Sequence, residues 1–353
     1  MMLLDDRKKR ILRAIIDDYI DTAEPVGSRT IARKHELGLS SATIRNEMAD
    51  LEEMGYLAQP HTSAGRIPSD KGYRLYVDEL MKVRELTEEE AESIREAMEV
   101  RINELSQLIR QASAVMSRFT RYTSVAITPQ AKKSILKAVQ IVPISTGNAL
   151  VIVVTNAGIL RNSIVKVPEN LLPDYLIKVS NVLNEKLTGL TIEKIGPKII
   201  KEIEGEIALA GEPLARETLM PILNGVKDCI NQIDSSEVYL EGATNIFNYP
   251  EFRDVIKARE FLNVLDEKEV LCKLLNSSAE NDGVSIQIGT ENQIEEIKDC
   301  SLITATYSVG DEIVGSIGII GPTRMEYSRV ISSMNYIRKK INQELSKLLG
   351  QSE

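Results

Sequence analysis

A chain of 353 residues exceeds what one core of ordinary size organises, so two or three domains are expected. Hydrophobic residues at 43% suffice for ordered cores, and 27% charged with 4% aromatic residues fit a soluble, helix-rich protein. The net charge of -9 falls entirely beyond Arg84: residues 1–84 carry 14 Lys+Arg against 14 Asp+Glu and the rest 29 against 38, so the acidic remainder is expected to dimerise or sense rather than to touch DNA, while a neutral first quarter can gather its basic groups on one face.

Asp5 and Asp6 start a first helix whose apolar face is Ile11, Leu12, Ile15, Ile16, Tyr19 and Ile20. Glu24-Pro25-Val26-Gly27 ends it, because proline bars the preceding residue from helical geometry. Ser28 is expected to cap a second, short helix from Arg29 to Glu36, which stops at Leu37-Gly38. A third helix begins near Ser41 with Ile44, Met48 and Leu51 as its buried stripe. Its other face carries Thr43, Arg45 and Asn46 near the N-terminus, where Arg pairs with guanine and Asn with adenine in a major groove. The Ser40 and Ser41 hydroxyls and the helix N-terminus can meet a phosphate. A short helix, a turn and a polar-faced helix form the helix-turn-helix pattern.

Gly55 closes that helix, and a hairpin follows: Tyr56-Leu57, a loop His61-Thr62-Ser63-Ala64-Gly65, and the return Arg66-Ile67-Pro68. A hairpin directly after a recognition helix reads as a wing, whose donors His61, Thr62, Ser63 and Arg66 suit phosphates or the minor groove. Ser69 caps the next helix, where Lys71 and Arg74 can add backbone contacts, and Ser28 and Arg29 can do the same from the second helix. Each side chain alone is also consistent with an ordinary solvated face. A wing placed after that face is not, and the constellation predicts a winged helix-turn-helix in residues 1–85.

Thr87-Glu88-Glu89-Glu90 is a capping box, which sets a domain boundary near Arg84 to Leu86. Met98, Ile102, Leu105, Ile109, Ala112, Met116 and Phe119 then recur in fours and threes. A long amphipathic helix on its own domain is preferred to a coiled coil, since the flanking charges are not complementary. Strand-like runs follow at residues 124–128, 138–144, 149–155 and 158–167, and again at 284–288, 302–309 and 312–320, before a final helix bearing Val330, Met334, Ile337, Ile341, Leu345 and Leu348. An antiparallel sheet bounded by helices resembles a GAF-like module, expected in residues 86–168 and 236–353. Residues 169–235 read mostly helical, broken at Gly189, Gly196-Pro197 and Gly211-Glu212-Pro213, and form an expected inserted domain. The expected fold class is thus α+β and multidomain.

Cys229, Cys272 and Cys300 lack CxxC spacing, and with two histidines and no HExxH, P-loop or GxSxG the chain is expected to be no enzyme and to need no cofactor or metal. No apolar run approaches the roughly 18 residues of a membrane span. The start Met-Met-Leu-Leu-Asp-Asp lacks the basic region of a signal peptide, so a cytoplasmic, nucleoid-associated protein is expected.

Several stretches together resemble the HrcA family of heat-inducible repressors. They are Glu24-Pro25-Val26-Gly27-Ser28-Arg29-Thr30, Ser41-Ala42-Thr43-Ile44-Arg45-Asn46-Glu47-Met48, Gln59 to Pro68, and Asp70-Lys71-Gly72-Tyr73-Arg74. Gly242 to Ile246 with Pro250-Glu251-Phe252, and Gly321 to Val330, agree as well. Ala23 and Ser69 stand where the family usually has glycine and threonine, and alanine at 23 stiffens the turn after the first helix. The resemblance implies a dimer on an inverted-repeat, CIRCE-type operator upstream of chaperone operons, with the inserted domain as dimerisation domain and a GroEL-type chaperonin maintaining activity. The competing reading is a metabolite-responsive winged-helix regulator with the GAF-like module as its sensor.

Overall fold

The computed structural model describes residues 4–35, 37–61, 64–98, 105–128, 134–156, 159–169, 171–209, 215–234, 237–276, 283–309 and 312–348. The chain is α+β, and its sheets are antiparallel throughout the described residues.

Helix α1 (Asp6–Thr22) starts at Asp5, whose carboxylate accepts from the Lys8 N–H at 2.7 Å. Its stripe Ile11, Leu12, Ile15 and Ile16 is fully buried against α2 (Ser28–Lys34) and α3 (Ser41–Glu53). Strands β1 (Leu57–Ala58) and β2 (Ile67–Pro68) pair antiparallel, and α4 (Asp70–Leu75) runs on into a wider π turn over residues 76–80. The second helix is shorter than expected, and Gly27, not Ser28, is its N-cap; no side chain caps it. Glu36 lies outside the described residues.

The Thr87–Glu90 capping box forms, with the Thr87 N–H donating to Glu90 at 3.0 Å and the Glu90 N–H to the Thr87 hydroxyl at 3.2 Å. The single long helix does not. Gln111 donates to the Ala97 carbonyl at 2.6 Å, whereas 14 residues of continuous helix would separate the two by about 21 Å. Helices α5 (Glu88–Met98) and α6 (Leu105–Thr120) therefore pack on each other as two helices, and Ile102 of the expected stripe lies outside the described residues. The apolar spacing continues from one helix to the other, which is why periodicity alone does not reveal that they are two.

The main sheet has the order β7-β3-β10-β9-β8: β7 (Val238–Glu241), β3 (Thr123–Ile127), β10 (Glu312–Pro322), β9 (Cys300–Val309) and β8 (Val284–Ile288). β3 is buried on both faces. Val125 and Ile127 join Phe261, Leu265 and Leu275 of α10 (Val255–Asp266) and α11 (Lys268–Asn276), while Ala126 joins the opposite core with α6 and α12 (Tyr327–Leu348). The result is three layers, helices on either side of one sheet.

The strands expected to share this sheet are in fact divided. β4 (Leu136–Ser145), β5 (Asn148–Thr155) and β6 (Leu160–Lys166) pair only with one another, and they pack on α7 (Pro173–Leu187) and α9 (Ala215–Asp234), with α8 (Pro197–Leu209) between those helices. The whole unit leaves and re-enters between two neighbouring strands, β3 and β7, where the Thr128 N–H donates to the Glu237 carbonyl at 3.0 Å. The unit therefore takes in β4–β6, which an inserted domain beginning at residue 169 leaves out. Period-two patterning identifies a strand but not the sheet that receives it.

Candidate nucleic-acid interface

α3 is held from below and capped from its start. Ile44, Met48 and Leu51 face the core. Glu47, also buried, accepts from Lys8 of α1 at 2.7 Å, and Asp50 adds a second carboxylate at 2.9 Å. Hydrogen bonding to Glu47, then to Asp50, holds the Lys8 ammonium above its ordinary pKa, so this tie stays charged across the physiological range. Lys34 of α2 similarly pairs with buried Asp18 of α1. The helix that would read DNA is thereby locked to α1, and α1 to α2.

At the N-terminus of α3 the Ser40 hydroxyl oxygen accepts from the Thr43 N–H at 3.1 Å and lies 2.9 Å from the Thr43 hydroxyl. Ser40 is the N-cap, so this side chain completes the helix before it meets anything outside. Arg45 and Asn46, one turn in, are exposed and have no hydrogen bond or ion pair among the described residues; Ser41 and Thr43 are half-exposed beside them. Arg29 is exposed at the start of α2, and Ser28 is half-buried in the first turn.

The hairpin is tied more closely to the body than the sequence reading has it. Val26, just before α2, forms a two-way bridge with Arg66 at 2.8 and 2.9 Å, an isolated bridge at the start of β2. The approach requires Gly65: a Cβ there would stand 2.5 Å from the Val26 backbone. Arg66 pairs with Glu52 of α3 at 2.8 Å and is one-fifth exposed, with its Nε buried and unbonded. Its charge braces the hairpin base against α3 and is not a free donor at the tip. His61 is exposed, and Thr62 and Ser63 lie outside the described residues.

Two further expected contacts are committed elsewhere. Lys71 donates to the Met54 carbonyl at 2.8 Å, closing the C-terminus of α3, and sits 4.4 Å from the Tyr56 ring centroid. Arg74 pairs with Asp78 and Glu291 and donates to the Ile286 carbonyl at 2.6 Å, reaching the main sheet module. The geometry thus brings together Ser41, Thr43, Arg45 and Asn46, with Arg29 on the neighbouring helix, and assigns Arg66, Lys71 and Arg74 to holding the unit in shape. Sequence reasoning missed Val26 and Glu52; the carboxylate one turn before Gly55 is the signal that could have found the latter.

The profile of the HrcA protein C-terminal domain matches residues 106–331. A heat-inducible transcription repressor HrcA of Ruminiclostridium cellulolyticum is 64% identical over 349 residues, covering 99% of each chain. The chain belongs to the HrcA family of heat-inducible transcription repressors. The HrcA of Acetivibrio thermocellus is 61% identical over 350 residues, 99% of this chain and 98% of that one. A crystal structure of a hypothetical protein shares the fold, with a TM-score of 0.69 at 24% identity over 98% of this chain and all of that one. An HrcA-family repressor acts on DNA, and no helix among the described residues is long and apolar enough to cross a membrane.

Proposed function

We propose that residues 1–85 form a winged helix-turn-helix and that the chain represses transcription as a homodimer on an inverted-repeat operator. α3 is the recognition helix and β1–β2 the wing. The observation that carries this reading is the pair Arg45 and Asn46: exposed and uncommitted among the described residues, on a helix that packs on α1, α2 and the hairpin and is closed at its C-terminus by Lys71. Guanidinium and carboxamide are the side chains best matched to guanine and adenine edges.

Dimerisation is supported by the inserted unit. The outer face of its sheet aligns Val142, Leu150 and Ile164 across one cross-strand row and Ala138, Val154 and Leu160 across another. Val142 is 41%, Leu160 51% and Ile164 65% exposed. These two apolar rows, which flank a Gln140–Ile152–Asn162 row on the same face, are buried stably by a second copy of that face about a two-fold axis, and a two-fold protein matches an inverted repeat. The family resemblance supplies the rest: a CIRCE-type operator, chaperone operons of the groE and dnaK type, a GroEL-type chaperonin that maintains the active repressor, and a GAF-like identity for the main sheet module.

The test is a gel shift of the full chain on an inverted-repeat operator, with and without chaperonin. Retardation of the operator at concentrations that leave a scrambled duplex free is expected, and chaperonin raises the active fraction. Equal retardation of both duplexes overturns the reading.

A further inference from the structure

Where α1 meets the main sheet module lies a cavity of about 680 Å³, within the range of small-molecule sites. Its walls come from the end of α1 (Ile20, Asp21), the α6–β3 junction (Arg121, Tyr122) and the approach to α12 (Arg324, Glu326, Arg329). A second cavity of about 570 Å³ shares Arg121 and Arg329 and adds Arg118. Four arginines thus converge in the part of the chain that holds the acidic excess.

The arginines differ in how far they are already engaged. Arg324 is spent on structure: it pairs with Glu251 at 2.7 Å and donates to the Ile20 carbonyl at 2.6 Å. Among the described residues the Arg329 side chain has one ion-pair contact, to Glu326 at 3.7 Å. The Arg121 side chain is exposed and makes no hydrogen bond or ion pair among the described residues. Its backbone, however, is fixed in the left-handed region at φ 63°, its N–H donating to Ser117 at 2.8 Å and its carbonyl accepting from the Tyr249 hydroxyl at 3.1 Å. Glycine is the ordinary occupant of such a helix-ending position. An arginine held there, on the rim of a cavity, carries a guanidinium that the fold's described contacts leave free.

We infer that this cavity binds a small phosphate monoester bearing hydroxyl groups. Arg121 and Arg329 supply forked donors to the phosphate, Arg329 by turning from its long 3.7 Å contact with Glu326. Asp21 and Glu326, in the same walls, are acceptors for hydroxyls, a pairing that a bare anion cannot use. The stacked rings of Tyr122 and Tyr249, 5.2 Å apart, form a rigid apolar wall between them. An occupant touches both α1 and the sheet module.

Isothermal titration of the full chain with glucose 6-phosphate tests this, with inorganic phosphate and glucose titrated in parallel. Saturable binding tighter than that of either part is expected. Arg121→Gly and Arg329→Gln each weaken it about tenfold, the loss of one charge-assisted contact. Glycine accepts the left-handed backbone at 121, so that variant keeps its fold, and Arg253→Ala, an exposed arginine outside both cavities, binds as the parent does. Absence of saturable binding in the millimolar range overturns the inference, as does equal affinity for inorganic phosphate or undiminished binding by both cavity variants.

Discussion

The carboxylate of Asp70 fills the space that a side chain at Gly289 would need. A Cβ at 289 would stand 2.2 Å from that carboxylate, which accepts from both the N–H and the hydroxyl of Thr290 at 2.9 Å. Asp70 opens α4 of the N-terminal unit and Gly289 opens the turn after β8, so the pair latches the two parts together. Gly289→Ala is therefore expected to cost about 1–3 kcal/mol in chemical denaturation, from displaced hydrogen bonds and from alanine at φ 55°. Asp70→Ala should cost part of the same amount, and the double variant less than the sum. Strict additivity would show that the two residues do not act as one contact.

Beside this latch, Arg74 and Glu291 form an ion pair with a definite pH signature. Burial pushes the Glu291 carboxyl up, but the Arg74 guanidinium and the Ile288 N–H outweigh it, and the net pKa is lowered. A lowered carboxyl stabilises the folded state above its unfolded value of about 4.3 and ceases to do so as pH falls through the folded value. The melting-temperature gap between the parent and Arg74→Gln should hold steady from neutral pH to about 5 and close below about 4. A gap unchanged under acid would assign Arg74's contribution to its bond with the Ile286 carbonyl alone.

These ties between units mark where sequence reading stops. The helices and strands were legible because burial writes a period into the chain: Ile44, Met48 and Leu51 in α3, and alternation along β5. The family motifs were legible because they are long. What periodicity does not carry is the partner. Arg66, Lys71 and Arg74 read as free cations in a row of polar residues, and their acceptors — Glu52, the Met54 carbonyl and Glu291 — are fixed only by tertiary packing. The same holds for β4–β6, whose alternation fits either sheet, and for the division between α5 and α6, whose spacing stays in phase.

Ala23 offers a test of local strain. It closes α1 in the left-handed region at φ 57°, its N–H donating to the Tyr19 carbonyl at 2.9 Å. Alanine is strained there and glycine is not, so Ala23→Gly should stabilise the chain by about 0.5–1 kcal/mol after glycine's greater chain entropy is counted. A loss of stability in urea denaturation would mean that stiffness of the α1–α2 turn outweighs the strain.

The three thiols differ in access. Burial raises Cys229 to about 11 and raises Cys300 further, while Cys272 is raised but only half-buried. A raised pKa leaves little thiolate, the reactive form. Under native, mildly alkaline conditions a thiol reagent should therefore modify Cys272 first, with Cys229 and Cys300 reacting only on unfolding. Peptide mapping by mass spectrometry reads the order, and early labelling of Cys300 would contradict the packing between β9 and α10.

The division of labour among the N-terminal cations makes the sharpest test of the DNA reading. Arg45 is free to read a base, while Arg66 braces the hairpin through Glu52. Arg45→Ala should leave unfolding unchanged and cost about 1–3 kcal/mol of discrimination at one base pair of the operator. Arg66→Ala removes no free donor, but it leaves Glu52 without its cation and loosens the hairpin. It should lower stability and weaken binding to every sequence, with the salt slope close to the parent's because no phosphate contact is lost. Fluorescence anisotropy on the operator and its single-base variants, run at several salt concentrations, separates the two. A salt slope shallower by about one unit in Arg66→Ala would return that residue to the phosphate backbone.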